Sequence, residues 1–123
     1  MSVPILKQGD ILIASIQAAL SDRDLVDLRD ELASRVGRLR SRGVVIDVTA
    51  LDVLDSFATR TIRGIAYTAK LRGADAVVVG IQPDVAFAMV QLGLTLEGIP
   101  TALDLEEGLV LLRARKADRD HGK

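Results

Sequence analysis

Apolar positions along the chain switch repeatedly between short continuous runs and helical spacing. Ile11-Leu12-Ile13-Ala14-Ser15-Ile16 is a compact run rich in β-branched residues, which predicts a buried strand. Leu20-Ser21-Asp22-Arg23-Asp24-Leu25 then reads as a helix start. Ser21 is placed as N-cap, Asp24 supplies a carboxylate three residues on, and Leu20 and Leu25 are spaced as a hydrophobic staple. Leu25, Leu28, Leu32, Val36 and Leu39 continue at helical spacing, with Asp27, Asp30, Glu31 and Arg35 between them, so one face packs and the other is wet.

After Gly43, Val44-Val45-Ile46-Asp47-Val48 predicts a second strand, apolar on consecutive positions as in sheets covered on both faces. A loop from Thr49 to Leu54 leads to Asp55-Ser56, where a helix is expected to run to about Leu71 with Ala58, Ile62, Ile65, Ala66 and Ala69 as its apolar stripe. Gly73 stops it, and Ala76-Val77-Val78-Val79-Gly80 predicts a third buried strand. Gln82-Pro83-Asp84 opens a third helix with Pro83 in its first turn, where a missing N–H does no harm, and Gly93 is its expected end. This helix is apolar nearly all round, through Val85, Ala86, Phe87, Met89, Val90 and Leu92. Most of it reads as core, with a surplus face that could bury against another domain of the same kind. A short extended piece, Pro100 to Leu103, precedes a last helix in which Asp104 and Glu107 have capping-box spacing and Leu105, Leu109 and Leu112 continue the pattern. Arg113, Arg115 and Lys116 sit in its last turns, where positive charge complements the helix dipole.

The expected architecture is therefore α/β: one domain over 1–117, a mixed sheet with about four helices packed on it, and a frayed polar tail over 118–123. With 123 residues, a second folded unit is not expected.

Composition narrows the function. The formal net charge is -1, and Phe57, Tyr67 and Phe87 are the only aromatic residues. Neither a phosphate-backbone binder nor a base-stacking platform fits that balance, so no nucleic-acid partner is expected. No cysteine is present, which removes disulfides, thiol catalysis and cysteine-ligated metals. The opening Met1-Ser2-Val3-Pro4 lacks a secretory pattern and no apolar run approaches a membrane span, so a cytoplasmic protein without a membrane partner is expected.

Enzymatic chemistry finds little support. The one histidine, His121, lies in the expected tail, where it could not serve a nucleophile reliably. Asp47, Asp52 and Asp55 cluster after the second strand, where α/β ligand sites often lie. They read either as a magnesium site or, more simply, as a strand end, a loop residue and a helix cap. Gly80 and Gly93 stand alone without nucleotide-loop spacing, and no cofactor is expected.

Asp55-Ser56-Phe57 carries more information. A hydroxyl at a helix N-terminus is a natural place for phosphate, because exposed N–H groups and the dipole stabilise the anion. Arg60 and Arg63 lie one and two turns on, where they could pair with it, and Phe57 offers an apolar contact beside it. Phosphorylation would add about -1.5 to -2 charges next to Asp52 and Asp55, confronting anything docked over Phe57 with a hydrated dianion.

The run Val44-Val45-Ile46-Asp47-Val48-Thr49-Ala50-Leu51-Asp52-Val53-Leu54-Asp55-Ser56 resembles the signature of STAS domains, the fold of anti-sigma-factor antagonists. The likeness extends to Gly80-Ile81-Gln82-Pro83-Asp84-Val85-Ala86 and Leu92-Gly93-Leu94. Phe57-Ala58-Thr59-Arg60 after the serine, the opening Val3-Pro4-Ile5-Leu6-Lys7, and the lack of room for an N-terminal sensory domain make it most similar to the stressosome-scaffold branch, the RsbS type. The resemblance implies a non-enzymatic scaffold that self-associates into a large assembly together with larger STAS paralogues bearing N-terminal sensory domains. It implies sequestration of a serine/threonine switch kinase, release by phosphorylation of Ser56 with Thr59 as the fallback acceptor, and resetting by a phosphatase. The alternatives are a plain anti-sigma-factor antagonist and a small-ligand sensor using a pocket near Asp47 and Asp52.

Overall fold

The computed structural model describes residues 3–120. Its elements are β1 (Ile5–Gln8), β2 (Ile11–Ser15), α1 (Asp22–Leu39), β3 (Gly43–Asp47), α2 (Ser56–Leu71), β4 (Asp75–Val79), α3 (Pro83–Gln91), β5 (Thr101–Ala102) and α4 (Leu105–Asp120). The five strands form one sheet in the order β1-β2-β3-β4-β5, with β1 antiparallel to β2 and every other pairing parallel.

Alternation along the strands assigns the two faces. Leu12, Ala14, Val44, Ile46, Ala76 and Val78 point one way and pack with Leu28, Leu32 and Val36 of α1 and Ile62, Ile65 and Ala69 of α2. Ile11, Ile13, Val45, Val77 and Val79 point the other way and are covered by Leu109 and Leu112 of α4. Both faces of the sheet are thus buried, which is why its strands read as unbroken apolar runs. Gly108 lets α4 approach closely, since a Cβ there would lie 2.6 Å from Val79 Cγ1.

The capping signal in α1 is realised in full. Asp24 N donates to Ser21 Oγ at 3.1 Å, and Ser21 N donates to Asp24 Oδ2 at 3.3 Å. At α4 the signal is realised with a shift. Glu107 N donates to Asp104 Oδ1 at 2.9 Å, but the Glu107 carboxylate accepts from Leu103 N, one residue before the expected partner.

Three expectations require correction. The chain forms an additional strand, β1, joined to β2 through Gly9 and Asp10, with Gly9 at a φ of 62°. Its exposed Leu6, Lys7 and Gln8 belong to an edge strand that buries too little to carry a hydrophobic pattern. The helix α3 is not mostly core: only Val85 and Met89 among its residues are buried. Finally, α4 continues to Asp120, past the expected start of a tail at residue 118, because a polar sequence without a helix breaker can extend an anchored helix. His121 lies outside the described residues. No helix among the described residues is long and apolar enough to cross a membrane.

Candidate functional site

The loops leaving β3 and β4 meet at one end of the sheet and set the position of the α2 N-terminus. Val48 N donates to the Val79 carbonyl at 3.0 Å, prolonging the ladder by one residue. The chain then turns on Asp47, whose Oδ1 accepts from Thr49 N at 2.9 Å and from Thr49 Oγ1 at 2.6 Å. Gln82, the residue before α3, donates from Nε2 to the Thr49 carbonyl at 2.8 Å and ties the two loops together. Leu51 and Leu54 are buried and pin the rest of the β3–α2 loop to the core. The loop therefore presents α2 in a fixed attitude.

Asp55 is the N-cap of α2: its Oδ1 accepts from Ala58 N at 2.7 Å, and its backbone carbonyl accepts from Thr59 N at 2.9 Å. Ser56 follows as the first helical residue and is exposed. The capping bond thus belongs to the aspartate, and Ser56 is an exposed residue in the first turn of a 16-residue helix, at its positive end. Phe57 is half-buried, with its carbonyl accepting from Thr61 Oγ1 at 2.9 Å. Asp52 and Arg60 are exposed.

Two expected contributors stand elsewhere. Arg63 donates from Nη1 to the Thr95 carbonyl at 3.0 Å, which fixes the loop after α3 rather than serving the α2 N-terminus. Thr59 is 1% exposed, and its Oγ1 has no hydrogen-bond partner among the described residues. A kinase could not reach that hydroxyl without unwinding the first turn of α2, so the fold disfavours Thr59 as fallback acceptor. Asp47 is committed to Thr49 and Asp55 to the helix cap, and among the described residues no group of three or more His, Asp or Glu side chains could hold a metal ion.

A small cavity of about 100 Å³ adjoins the cap, lined by Leu20, Leu25, Leu51, Leu54, Ala58 and Ile62 among others, with exposed Val53 at its edge. Sequence reasoning missed the roles of Thr49 and Gln82 in joining the two loops. An Asp-x-Thr following a strand is the signal of a side-chain-closed turn, and it lay in plain view as Asp47-Val48-Thr49.

Comparison with known proteins bears on the family and the fold. The chain is 30% identical over 82 residues to the RsbT co-antagonist protein RsbRA of Bacillus subtilis strain 168, a match covering 67% of this chain and 30% of that protein. The chain thus spans about a third of the length of that curated relative. A serine-to-glutamate variant of RsbS from Moorella thermoacetica superposes with a TM-score of 0.81 at 36% identity, covering 94% of this chain and 97% of that one. A chain from the molecular architecture of the stressosome, described as a signal integration and transduction hub, gives a TM-score of 0.76 at 36% identity, covering 92% and 98% of the two chains. The anti-sigma factor antagonist SpoIIAA shares the fold at a TM-score of 0.67 and 11% identity, covering 92% and 97%. The STAS domain model matches residues 2–108, and the chain belongs to the STAS domain family.

Proposed function

We propose that this STAS domain is a non-enzymatic scaffold and antagonist in bacterial stress signalling, switched by phosphorylation of Ser56. The observation that carries the reading is the division of roles at the start of α2. Asp55 holds the cap while Ser56, one residue on, is exposed. A phosphoryl group on Ser56 gains from the unpaired N–H groups and dipole of the helix, worth about 0.3–1 kcal/mol at an exposed site. Arg60, one turn along, is an exposed cation that can lean toward it. Asp52 and Asp55 nearby oppose the added charge, so the dianion remains hydrated and projects outward. A partner docked across Phe57 and the α2 N-terminus would have to desolvate it, which favours release.

In this reading the partner is a serine/threonine switch kinase, a phosphatase resets the serine, and the scaffold co-assembles in the cytoplasm with larger STAS paralogues that carry N-terminal sensory domains. The likeness to RsbS and to a stressosome chain at 36% identity, and to RsbRA in sequence, supports the assembly half of the reading.

The test uses the co-encoded kinase, ATP and mass spectrometry of the intact chain. Phosphate is expected on Ser56. Ser56→Ala should abolish modification and keep kinase binding, whereas Ser56→Asp should weaken binding. Equal kinase binding by wild type and Ser56→Asp would remove the release mechanism. Light scattering after size-exclusion chromatography separates a scaffold, which forms very large particles alone or with a paralogue, from a plain anti-sigma-factor antagonist, which stays small.

A further inference from the structure

The β4 side of the sheet is left open over its first half, and the sequence shows why. β5 pairs with β4 only through Thr101 opposite Val78 and Ala102 opposite Val79. Pro100, one residue earlier, still accepts from Val78 N at 3.0 Å, but it has no N–H to return to the ladder. Val78 N and Gly80 N both donate toward this edge. By alternation the Ala76 N–H and carbonyl face it too, and among the described residues no strand meets them. A recess of about 410 Å³ occupies the gap. Arg63, Ala66, Tyr67 and Lys70 line it from one face of α2, at i, i+3, i+4, i+7 spacing. Ile99 and Pro100 add apolar wall, and Arg115 reaches it from α4. The chain's one tyrosine, Tyr67, is 66% exposed there.

We infer that this recess binds a small organic acid, an apolar body carrying a single carboxylate. Its size falls in the range of small-molecule sites, which pair apolar walls with a few convergent polar groups. Three cations, Arg63, Lys70 and Arg115, line it, and among the described residues no carboxylate pairs with Lys70 or Arg115. Arg63 gives one N–H to the Thr95 carbonyl at 3.0 Å and keeps its other donors. Positive charge near a helix C-terminus accounts for Lys70 alone; Arg63 is mid-helix and Arg115 belongs to another helix. Asp75 and Glu97 are the acids of the lining, so one positive charge is in excess. That balance suits a monoanion and opposes the dianion of a phosphate ester. The carboxylate takes charge-assisted bonds from Lys70 and Arg115, and the body covers Ala66, the Tyr67 ring, Ile99 and Pro100. An inorganic ion would leave those walls wet. The site lies at the start of β4, the opposite end of the parallel strands from Ser56, Asp47 and Asp52, and the inference is independent of Ser56.

The test is a titration of the full chain, labelled with nitrogen-15, followed by amide chemical shifts. Hexanoate, benzoate and 3-phenylpropanoate are the probes, with 3-phenylpropanamide as the uncharged counterpart and acetate as the head group alone. At least one of the three acids should bind with a Kd of about 1 mM or below, the affinity open to so small a ligand. Its shifts should centre on Tyr67, Lys70, Ala76 and Ile99. The amide and acetate should each bind at least about tenfold more weakly, since one lacks the charge and the other the body. Lys70→Gln combined with Arg115→Gln, both at exposed positions, should bring 3-phenylpropanoate to within about twofold of its amide and leave the amide unchanged. Circular dichroism checks the fold of that variant; the comparison of acid with amide on the wild type decides the matter without it. Equal binding of acid and amide would overturn the proposal, as would acetate binding as tightly as the acids, which marks an adventitious ion only. So would shifts centred on Asp47 and Asp52, tighter binding of 3-phenylpropyl phosphate, or no response to any of the three acids at about 20 mM. Ser56→Ala should leave every one of these affinities unchanged, so this inference and the phosphorylation reading fail separately.

Discussion

Gly80 and Thr49 stand so close that a Cβ on Gly80 would collide with the Thr49 side chain and come within 3.1 Å of the Thr49 Cα. Gly80 also has a φ of 82°, in the region that L side chains rarely adopt. The two constraints are independent, and both hold the β4–α3 loop against the β3–α2 loop. Gly80→Ala should destabilise the domain by about 2–4 kcal/mol, combining backbone strain with overpacking. Urea unfolding measures it, and adding Thr49→Gly should recover only the steric part.

Asp55 makes the cap bond to Ala58 N at 2.7 Å. Asp55→Ala should cost about 1 kcal/mol, and Asp55→Ser, which can still cap, a few tenths. Thermal melts of the three proteins order them. In the kinase assay, Asp55→Ala should slow modification of Ser56, because a frayed first turn presents the serine poorly.

Ser56 takes no part in that cap, so charge placed on it should not unfold anything. Ser56→Asp and Ser56→Ala should each lie within about 0.5 kcal/mol of wild type, with the aspartate the more stable of the two at low salt. A loss of more than about 2 kcal/mol in Ser56→Asp by urea titration would show that the α2 N-terminus does not accept an anion.

At the far end of the sheet, Lys116 Nζ lies 2.6 Å from Asp10 Oδ2 and fastens α4 to the β1–β2 turn. Hydrogen bonding from Lys116 holds the Asp10 carboxyl below its ordinary value of 3.8. The native state thus favours the carboxylate. Its stabilisation is complete above the unfolded value and disappears as pH falls through the depressed native one. Both side chains are partly exposed, so the pair is worth no more than about 1 kcal/mol. Asp10→Asn should unfold at lower urea than wild type at pH 7, and the gap should close in strong acid.

The parts of this fold that show in the sequence are those where burial dictates residue type. Val44, Val45 and Ile46 are each fully buried between two helical layers, so no polar residue interrupts them. The Ser21 and Asp24 pair is equally readable, because a capping box is local chemistry. Long-range bonds leave no such trace. Nothing near Arg63 announces that it will reach Thr95, 32 residues on, or near Gln82 that it will bond the Thr49 carbonyl. Thr59 shows a second limit: a hydroxyl three residues after Ser56 looks equally available in a sequence, yet the turn of the helix sends it inward. Phe87 shows a third. Apolar residues around a whole helix read as core, yet α3 buries only Val85 and Met89 and leaves Phe87 exposed.

The separation of Asp55 from Ser56 has a consequence for how such a domain could carry information. Because the cap is a different side chain, writing on the serine breaks no bond that the fold relies on, and erasing it restores none. Folded populations with and without the mark would differ by no more than the helix-dipole gain of about 0.3–1 kcal/mol. The position of the switch would then be fixed by the relative speeds of the enzymes that write and erase, and the domain would act as a neutral page between them.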